Sequence, residues 1–164
     1  MGRETERKFL VRGEFQGGST GKEEIVQAYL VKDAEKVIRI RISDDRAWLT
    51  IKSKPQEGSF SRGEWEYPIP EKDARDLLSM CLPGRIVKTR YFVPAGKHVF
   101  EVDVFHGRNE GLVVAEIELT DESDEFERPV WLGKEVTGDP AYYNSNLVRK
   151  ELFFESEIDG EDKE

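Results

Sequence analysis

The stretch Glu4-Thr5-Glu6-Arg7-Lys8 decides how this chain folds. Residues two apart in a strand point to the same face, so Glu4, Glu6 and Lys8 stand side by side. The spacing recurs in Arg39 and Arg41, Lys52 and Lys54, Glu64 and Glu66, Lys88 and Arg90, Glu101 and Asp103, and Glu116 and Glu118. Each strand carries pairs of one sign. The opposite faces are largely apolar: Val37, Ile38, Ile40 and Ile42; Leu49 and Ile51; Trp65 and Tyr67; Val102 and Val104; Ala115, Ile117 and Leu119. One face of the sheet is charged throughout, and the other has to be covered.

Strand patterns fall at residues 4–11, 25–31, 36–42, 47–54, 63–69, 86–92, 99–105 and 113–119, most of them separated by turn residues, which predicts antiparallel hairpins. Asp44-Asp45, Pro55-Gln56-Glu57-Gly58-Ser59 and Pro94-Ala95-Gly96-Lys97 supply turns. A helix is predicted over 71–81, between Pro70 and Pro83-Gly84. Further helices are expected at 121–126 and at 144–154, the latter with Leu147, Val148, Leu152 and Phe153 apolar. The division expected is one domain over 1–154 and an acidic, disordered tail over 155–164.

The chain has 164 residues, 37% apolar and 36% charged, with a net charge of −9, enough for one packed domain. The tail holds six acids against one lysine, a net of −5, which leaves −4 on the body. The overall sign therefore does not exclude an anionic ligand. Cys81 is the only cysteine, which rules out an internal disulfide or a thiolate metal site, and a small buried side chain is expected there. Without a signal-like start or a membrane-length apolar run, a cytoplasmic location is expected.

Alternating charged and apolar residues suit any half-exposed strand, and for a single pair such as Lys52 and Lys54 that reading is the better one. Across the set it weakens, because a soluble surface intersperses its signs. Two unit charges about 4 Å apart at an effective dielectric near 20 interact by roughly 4 kcal/mol. Clustered carboxylates therefore call for cations, and clustered arginines and lysines for anions. Divalent ions together with phosphates satisfy both, and hard oxygen ligands favour Mg²⁺ or Mn²⁺ over zinc. Eight antiparallel strands lose their edges by closing. The fold expected is α+β, mainly antiparallel β: an eight-stranded closed tunnel barrel with a charged lumen and helices packed outside.

The ordered set resembles the CYTH superfamily, or triphosphate tunnel metalloenzymes. It comprises Glu4-Thr5-Glu6-Arg7-Lys8-Phe9-Leu10-Val11, Gln27-Ala28-Tyr29-Leu30, Arg39-Ile40-Arg41, Thr50-Ile51-Lys52-Ser53, Ser61-Arg62-Gly63-Glu64-Trp65-Glu66 and Lys88-Thr89-Arg90-Tyr91, followed by residues 100–105, Glu116-Ile117-Glu118 and residues 129–137, with Tyr142 and Asn144 after them. The resemblance covers the chain except the tail and is closest to short bacterial single-domain inorganic triphosphatases. It implies a metal-dependent hydrolase that splits tripolyphosphate into pyrophosphate and phosphate. Thiamine or nucleoside triphosphate hydrolysis, or adenylyl cyclisation, is the alternative in the same site. A non-catalytic polyphosphate or phosphometabolite-binding module is the alternative of another class.

Within that resemblance Arg39, Arg41, Lys52, Lys88 and Arg90 are expected to cradle the phosphates, joined by Arg62 from the loop. Glu4, Glu6, Asp103, Glu116 and Glu118 are the candidates to hold Mg²⁺ or Mn²⁺. Lys8, with a pKa expected to be lowered by neighbouring cations, pairs with Tyr29 to handle the proton of the attacking water. The partner expected is a triphosphate-containing small molecule, with no nucleic acid and no membrane; a homodimer stays open. Gly17-Gly18-Ser19-Thr20-Gly21-Lys22 is one residue short of a phosphate loop and lacks its Ser or Thr, so it reads as a flexible surface loop. His98 and His106 read as surface residues, and Trp131 as a packing anchor or a wall of one tunnel mouth.

Overall fold

A computed structural model describes residues 2–148 of the chain. Among the described residues there are nine strands: β1 (Gly2–Val11), β2 (Gly21–Lys32), β3 (Lys36–Ser43), β4 (Arg46–Ser53), β5 (Ser61–Ile69), β6 (Ile86–Ala95), β7 (His98–Phe105), β8 (Val113–Glu118) and β9 (Leu132–Glu135). They run in the order β5-β4-β3-β2-β6-β7-β8-β1-β9, and β1 also pairs with β5. That last pairing, with Glu4 opposite Arg62, closes β1 to β8 into an eight-stranded antiparallel barrel. The expected tunnel barrel is therefore what forms.

The ninth strand has no counterpart among the sequence patterns, because four residues are too few to show a period. It is held by backbone approach instead. A Cβ at Gly133 would come within 2.8 Å of the Leu10 carbonyl oxygen, so this position needs glycine for β9 to lie against β1.

The apolar faces turn outward and are covered in two places. Phe9, Phe100, Val102, Ala115 and Ile117 form one cluster under Phe15, Trp131 and Leu132. Trp131 packs edgewise on Phe100 at 5.2 Å between centroids, the anchoring role expected, and it lies away from the cavity. Ala28, Ile40, Ile42 and Ala47 form the second cluster, beneath α1 (Glu71–Leu78) through Ala74 and Leu78. Cys81 lies at the border of this cluster, half-buried.

A third cluster closes one end of the lumen. Tyr29, Ile86, Phe105 and Val114 meet Leu147 and Val148 of the helical turn at 144–148, with Leu10, Val37 and Leu112 around them. Val37 thus faces the lumen, not the outer face with Ile38, Ile40 and Ile42. Residues 149–154 of the expected helix and the tail 155–164 lie outside the described residues.

Three further expectations are corrected. No helix forms at 121–126, because local polar caps win: Asp121 accepts from Ser123 N and Oγ, and Asp124 accepts from Thr120 N. Part of the 17–22 segment is ordered structure, since Gly21 and Lys22 open β2 opposite Phe92 and Tyr91. His98 is a packed residue with its side chain 9% exposed, bonded to Asp124 at 3.0 Å and edge-on to Phe126. His106 is exposed as expected. Among the described residues, no helix is long and apolar enough to cross a membrane.

Candidate active site

Strand order sorts the charges. Going round the ring, β7, β8, β1 and β5 are neighbours and bring Glu101, Asp103, Glu116, Glu118, Glu4, Glu6, Glu64 and Glu66 onto one wall. The strands β4, β3, β2 and β6 form the other wall, with Lys52, Arg39, Arg41, Lys88 and Arg90. Signs scattered along the chain become two faces of one lumen.

The lumen contains a cavity of about 670 Å³ lined by Lys8, Lys32, Lys36, Arg39, Arg41, Lys52, Lys54, Arg62 and Arg90, against only Glu6, Asp33 and Glu116 among acids. Nine cations to three acids, in a chain of net charge −9, mark a site built for an anion. Tyr29, Phe60, Tyr143 and Asn144 also line it. Phe60 and Tyr143 are its exposed aromatic residues.

Several of the cations are already neutralised. Glu4 accepts from Lys52 at 2.9 Å and lies 3.4 Å from Arg62. Burial opposes the charge on Glu4, but Lys52 and Arg62 outweigh it and hold the carboxyl well below its usual range. Asp103, 1% exposed and behind the cavity wall, takes Lys88 at 2.7 Å and Arg90 Nε at 2.8 Å. Arg90 also reaches Glu101 at 2.8 Å.

Arg39 and Arg41 are not compensated in this way. Arg39 keeps a buried Nε with no hydrogen-bond partner, and its nearest carboxylate, Glu66, is 3.6 Å away. Arg41 donates its Nε to Gln27 Oε1 at 2.9 Å. Burial, with Arg39 and Arg90 nearby, pushes its guanidinium down to about 9. An orphaned donor and a repelled cation on one cavity wall are what an anionic ligand would relieve.

Lys8 corrects the expectation of a lowered pKa. Burial alone would lower it, but Glu116 at 3.4 Å, with Glu6 and Asp103, prevails and raises it. Its neighbours are acids, because β1 lies between β8 and β5. Its ammonium also donates to the Tyr142 carbonyl at 3.0 Å, while Tyr29 Oη accepts from Gln27 Nε2 at 3.2 Å. The lowered lysine is Lys88, brought down to about 7 by complete burial, with Arg90 and Arg41 adding to the effect against the pull of Asp103.

The acidic wall is short of positive charge at its centre. Burial beside Glu116 and Glu4 raises the Glu6 carboxyl well above 4.5, and burial with Glu4 and Glu101 raises the exposed Glu118. Glu6 and Glu118 face each other across β1 and β8. Among the described residues, no three of these side chains already converge as a metal cluster. The fit rests on the chemistry of the donor set: oxygen-only ligands, two of them resisting ionisation for want of a cation.

Gln27, Asn144 and Tyr143 were not singled out as site residues. Gln27 alternates in phase with Tyr29 on β2, a signal present in the sequence. Asn144 and Tyr143 enter the cavity only because the segment after β9 folds back across the barrel end.

An antiparallel barrel with a cationic cavity and an acidic wall defines a protein that handles polyanions inside a tunnel. The CYTH domain model matches residues 2–150, and the chain belongs to that family. An inorganic triphosphatase of Acetivibrio thermocellus is 43% identical over 150 residues, covering 91% of this chain and 95% of that protein. A second, from Nitrosomonas europaea, is 36% identical and covers 88% and 96%. The crystal structure of an inorganic triphosphatase superposes with a TM-score of 0.63 at 32% identity, over 88% of this chain and 96% of that one.

Proposed function

We propose that this chain is a divalent-metal-dependent hydrolase that splits inorganic triphosphate into pyrophosphate and phosphate. The observation that carries the reading is the pair Arg39, with a buried Nε left without a partner and Glu66 no nearer than 3.6 Å, and Arg41, disfavoured by burial beside other cations, facing the acidic wall across one cavity. Relatives of matching length named inorganic triphosphatase support it.

Arg39, Arg41, Arg90, Lys52 and Arg62 bind the phosphate chain, the arginines by paired hydrogen bonds. Glu6 and Glu116 hold the divalent ion, Mg²⁺ or Mn²⁺, with Glu4 and Glu118 beside them. When bound, that ion neutralises phosphate charge and sharpens water as a nucleophile. Asp103 is assigned instead to fixing Lys88 and Arg90, the two cations it already binds. Lys8, kept charged by Glu116, donates hydrogen bonds to the phosphoryl oxygens or the attacking water. Little covalent work is asked of the protein, so alignment and charge account for most of the rate.

The direct test is phosphate release from tripolyphosphate during a titration with Mg²⁺ or Mn²⁺, with ATP and thiamine triphosphate in parallel. Tripolyphosphate should turn over fastest, and only with metal. Binding of tripolyphosphate without turnover at saturating metal would establish the non-catalytic alternative.

The Glu6 environment gives a pH signature. Its folded pKa is raised, so just above 4.5 the folded state binds a proton that the unfolded state has already released. Stability from this group therefore falls as pH rises from about 4.5 through the raised value. Melting temperatures taken across weakly acid to neutral pH should show this loss without metal, and Mg²⁺ or Mn²⁺ should reverse it. A Glu6→Gln variant should lose both the slope and most of the metal response.

A further inference from the structure

A chain of hydrogen bonds runs behind the cationic wall. The Lys88 ammonium donates to Asn144 Oδ1 at 2.9 Å. Gln27 Nε2 donates to the same oxygen at 3.4 Å and to Tyr29 Oη at 3.2 Å. Gln27 Oε1 then accepts from Arg41 Nε at 2.9 Å. Gln27 is fully buried, with no exposed surface.

The direction of this chain is set by chemistry at both ends. An ammonium has only donors, so Asn144 must turn its oxygen toward Lys88. That oxygen joins Tyr29 Oη as an acceptor on one side of Gln27, which presents its amide nitrogen there and sends its carbonyl the other way. A guanidinium also has only donors, and the Gln27 carbonyl is oriented to receive Arg41. Once its Nε is engaged, the terminal nitrogens of Arg41 are left for the cavity.

We propose that Gln27 is a positioning residue that aims Arg41 at the bound anion, and that Asn144, carried in by the C-terminal segment, holds Gln27 in the required amide orientation. The inference rests on the triphosphate reading for the identity of the anion, and it gives Gln27, which stands behind the cavity lining, and Asn144, which is part of it, a role in orienting Arg41. It also gives the fold-back of residues 144–148 a purpose beyond closing the barrel: the cradle is complete only when Asn144 is seated.

Two measurements on the full chain test it. The first is the ¹⁵N NMR signal of the Arg41 Nε–H, assigned by its loss in Arg41→Ala. Gln27→Met and Asn144→Ala should both shift it and speed its exchange with water, while Asn144→Asp, which keeps the acceptor oxygen, should restore it. The second is calorimetric affinity for tripolyphosphate in a double-mutant cycle. Gln27→Met should weaken binding by about 10-fold, the scale of one charge-assisted hydrogen bond, and by less than about 2-fold in the Arg41→Ala background. An unchanged arginine signal in Gln27→Met overturns the relay, whether or not tripolyphosphate is a substrate. A shifted signal with unaltered affinity, or the same loss in both backgrounds, reduces Gln27 to a structural residue and also overturns the proposal. Wild-type protein that neither binds nor hydrolyses tripolyphosphate sinks the triphosphate reading instead, and the arginine signal still decides the relay.

Discussion

Replacing Arg41 by alanine is expected to lower kcat/KM for tripolyphosphate by about 10²–10³, the cost of deleting one preorganised donor to a developing anion, while raising the melting temperature of the ligand-free protein. The two effects share a cause. Arg41 is brought down to about 9 by burial beside Arg39 and Arg90, and its one hydrogen bond in this chain of contacts is to a neutral amide. The empty protein therefore carries a charge that folding disfavours and that Asp103 offsets only in part, and a bound anion would compensate the rest. Thermal unfolding at low and high salt, with and without tripolyphosphate, separates the terms. The stability gain should shrink as salt screens the repulsion, and tripolyphosphate should stabilise the wild type far more than the variant. A variant less stable than wild type under all these conditions would show that Arg41 is structural and not held ready for a ligand.

Asp103→Asn should have the largest effect on stability. The carboxylate is 1% exposed and joins Lys88 at 2.7 Å to Arg90 at 2.8 Å. Burial works against its charge, but Arg90 and Lys88 outweigh that and keep it ionised. Removing the anion leaves two buried cations without it, at a cost of about 3–5 kcal/mol, on the order of 10 °C in melting temperature for a domain of this size. The deficit should narrow as pH rises. Lys88 sits at about 7 with Asp103 in place and falls lower without it, while the unfolded lysine stays charged to about 10.5. Between that lower value and about 7 only the variant's Lys88 is already neutral when folded, so the variant gains stability with rising pH while the wild type does not; above about 7 the two gain alike and the deficit stays level. Adding Lys88→Met to the variant should recover part of the loss, because it removes one of the stranded charges. A variant as stable as wild type from pH 6 to 9 would mean that the triad is not the strut it is taken to be here.

Much of the site was legible from spacing. Every alternating charged pair from Glu4 to Glu118 belongs to a strand of the closed barrel, except that Lys54 falls just past the end of β4. Of the residues expected to bind phosphate, Arg39, Arg41, Lys52, Arg62 and Arg90 line the cavity, and Lys88 stands behind it. Lys8 was misread in its electrostatics because charge neighbours in a barrel come from adjacent strands and not from adjacent residues. On its own strand it follows Arg7, yet in the fold Glu116 of β8 sits opposite. The helix expected at 121–126 lost to side-chain capping by Asp121 and Asp124, a competition that local propensity does not resolve.

By itself the sequence determined which side chains share a face, since a period of two is a local property of an extended backbone, and hence that one face had to be ionic and the other covered. Only the tertiary structure decided the rest. Closing β1 onto β5 and pairing β2 with β6 turned acid and base strands that alternate along the chain into two continuous walls. The return of residues 144–148 across the barrel end brought Asn144 to Lys88 and Gln27. The physical reason is range: backbone geometry acts over a few residues, whereas Coulomb forces and hydrogen bonds depend on which strands become neighbours in space.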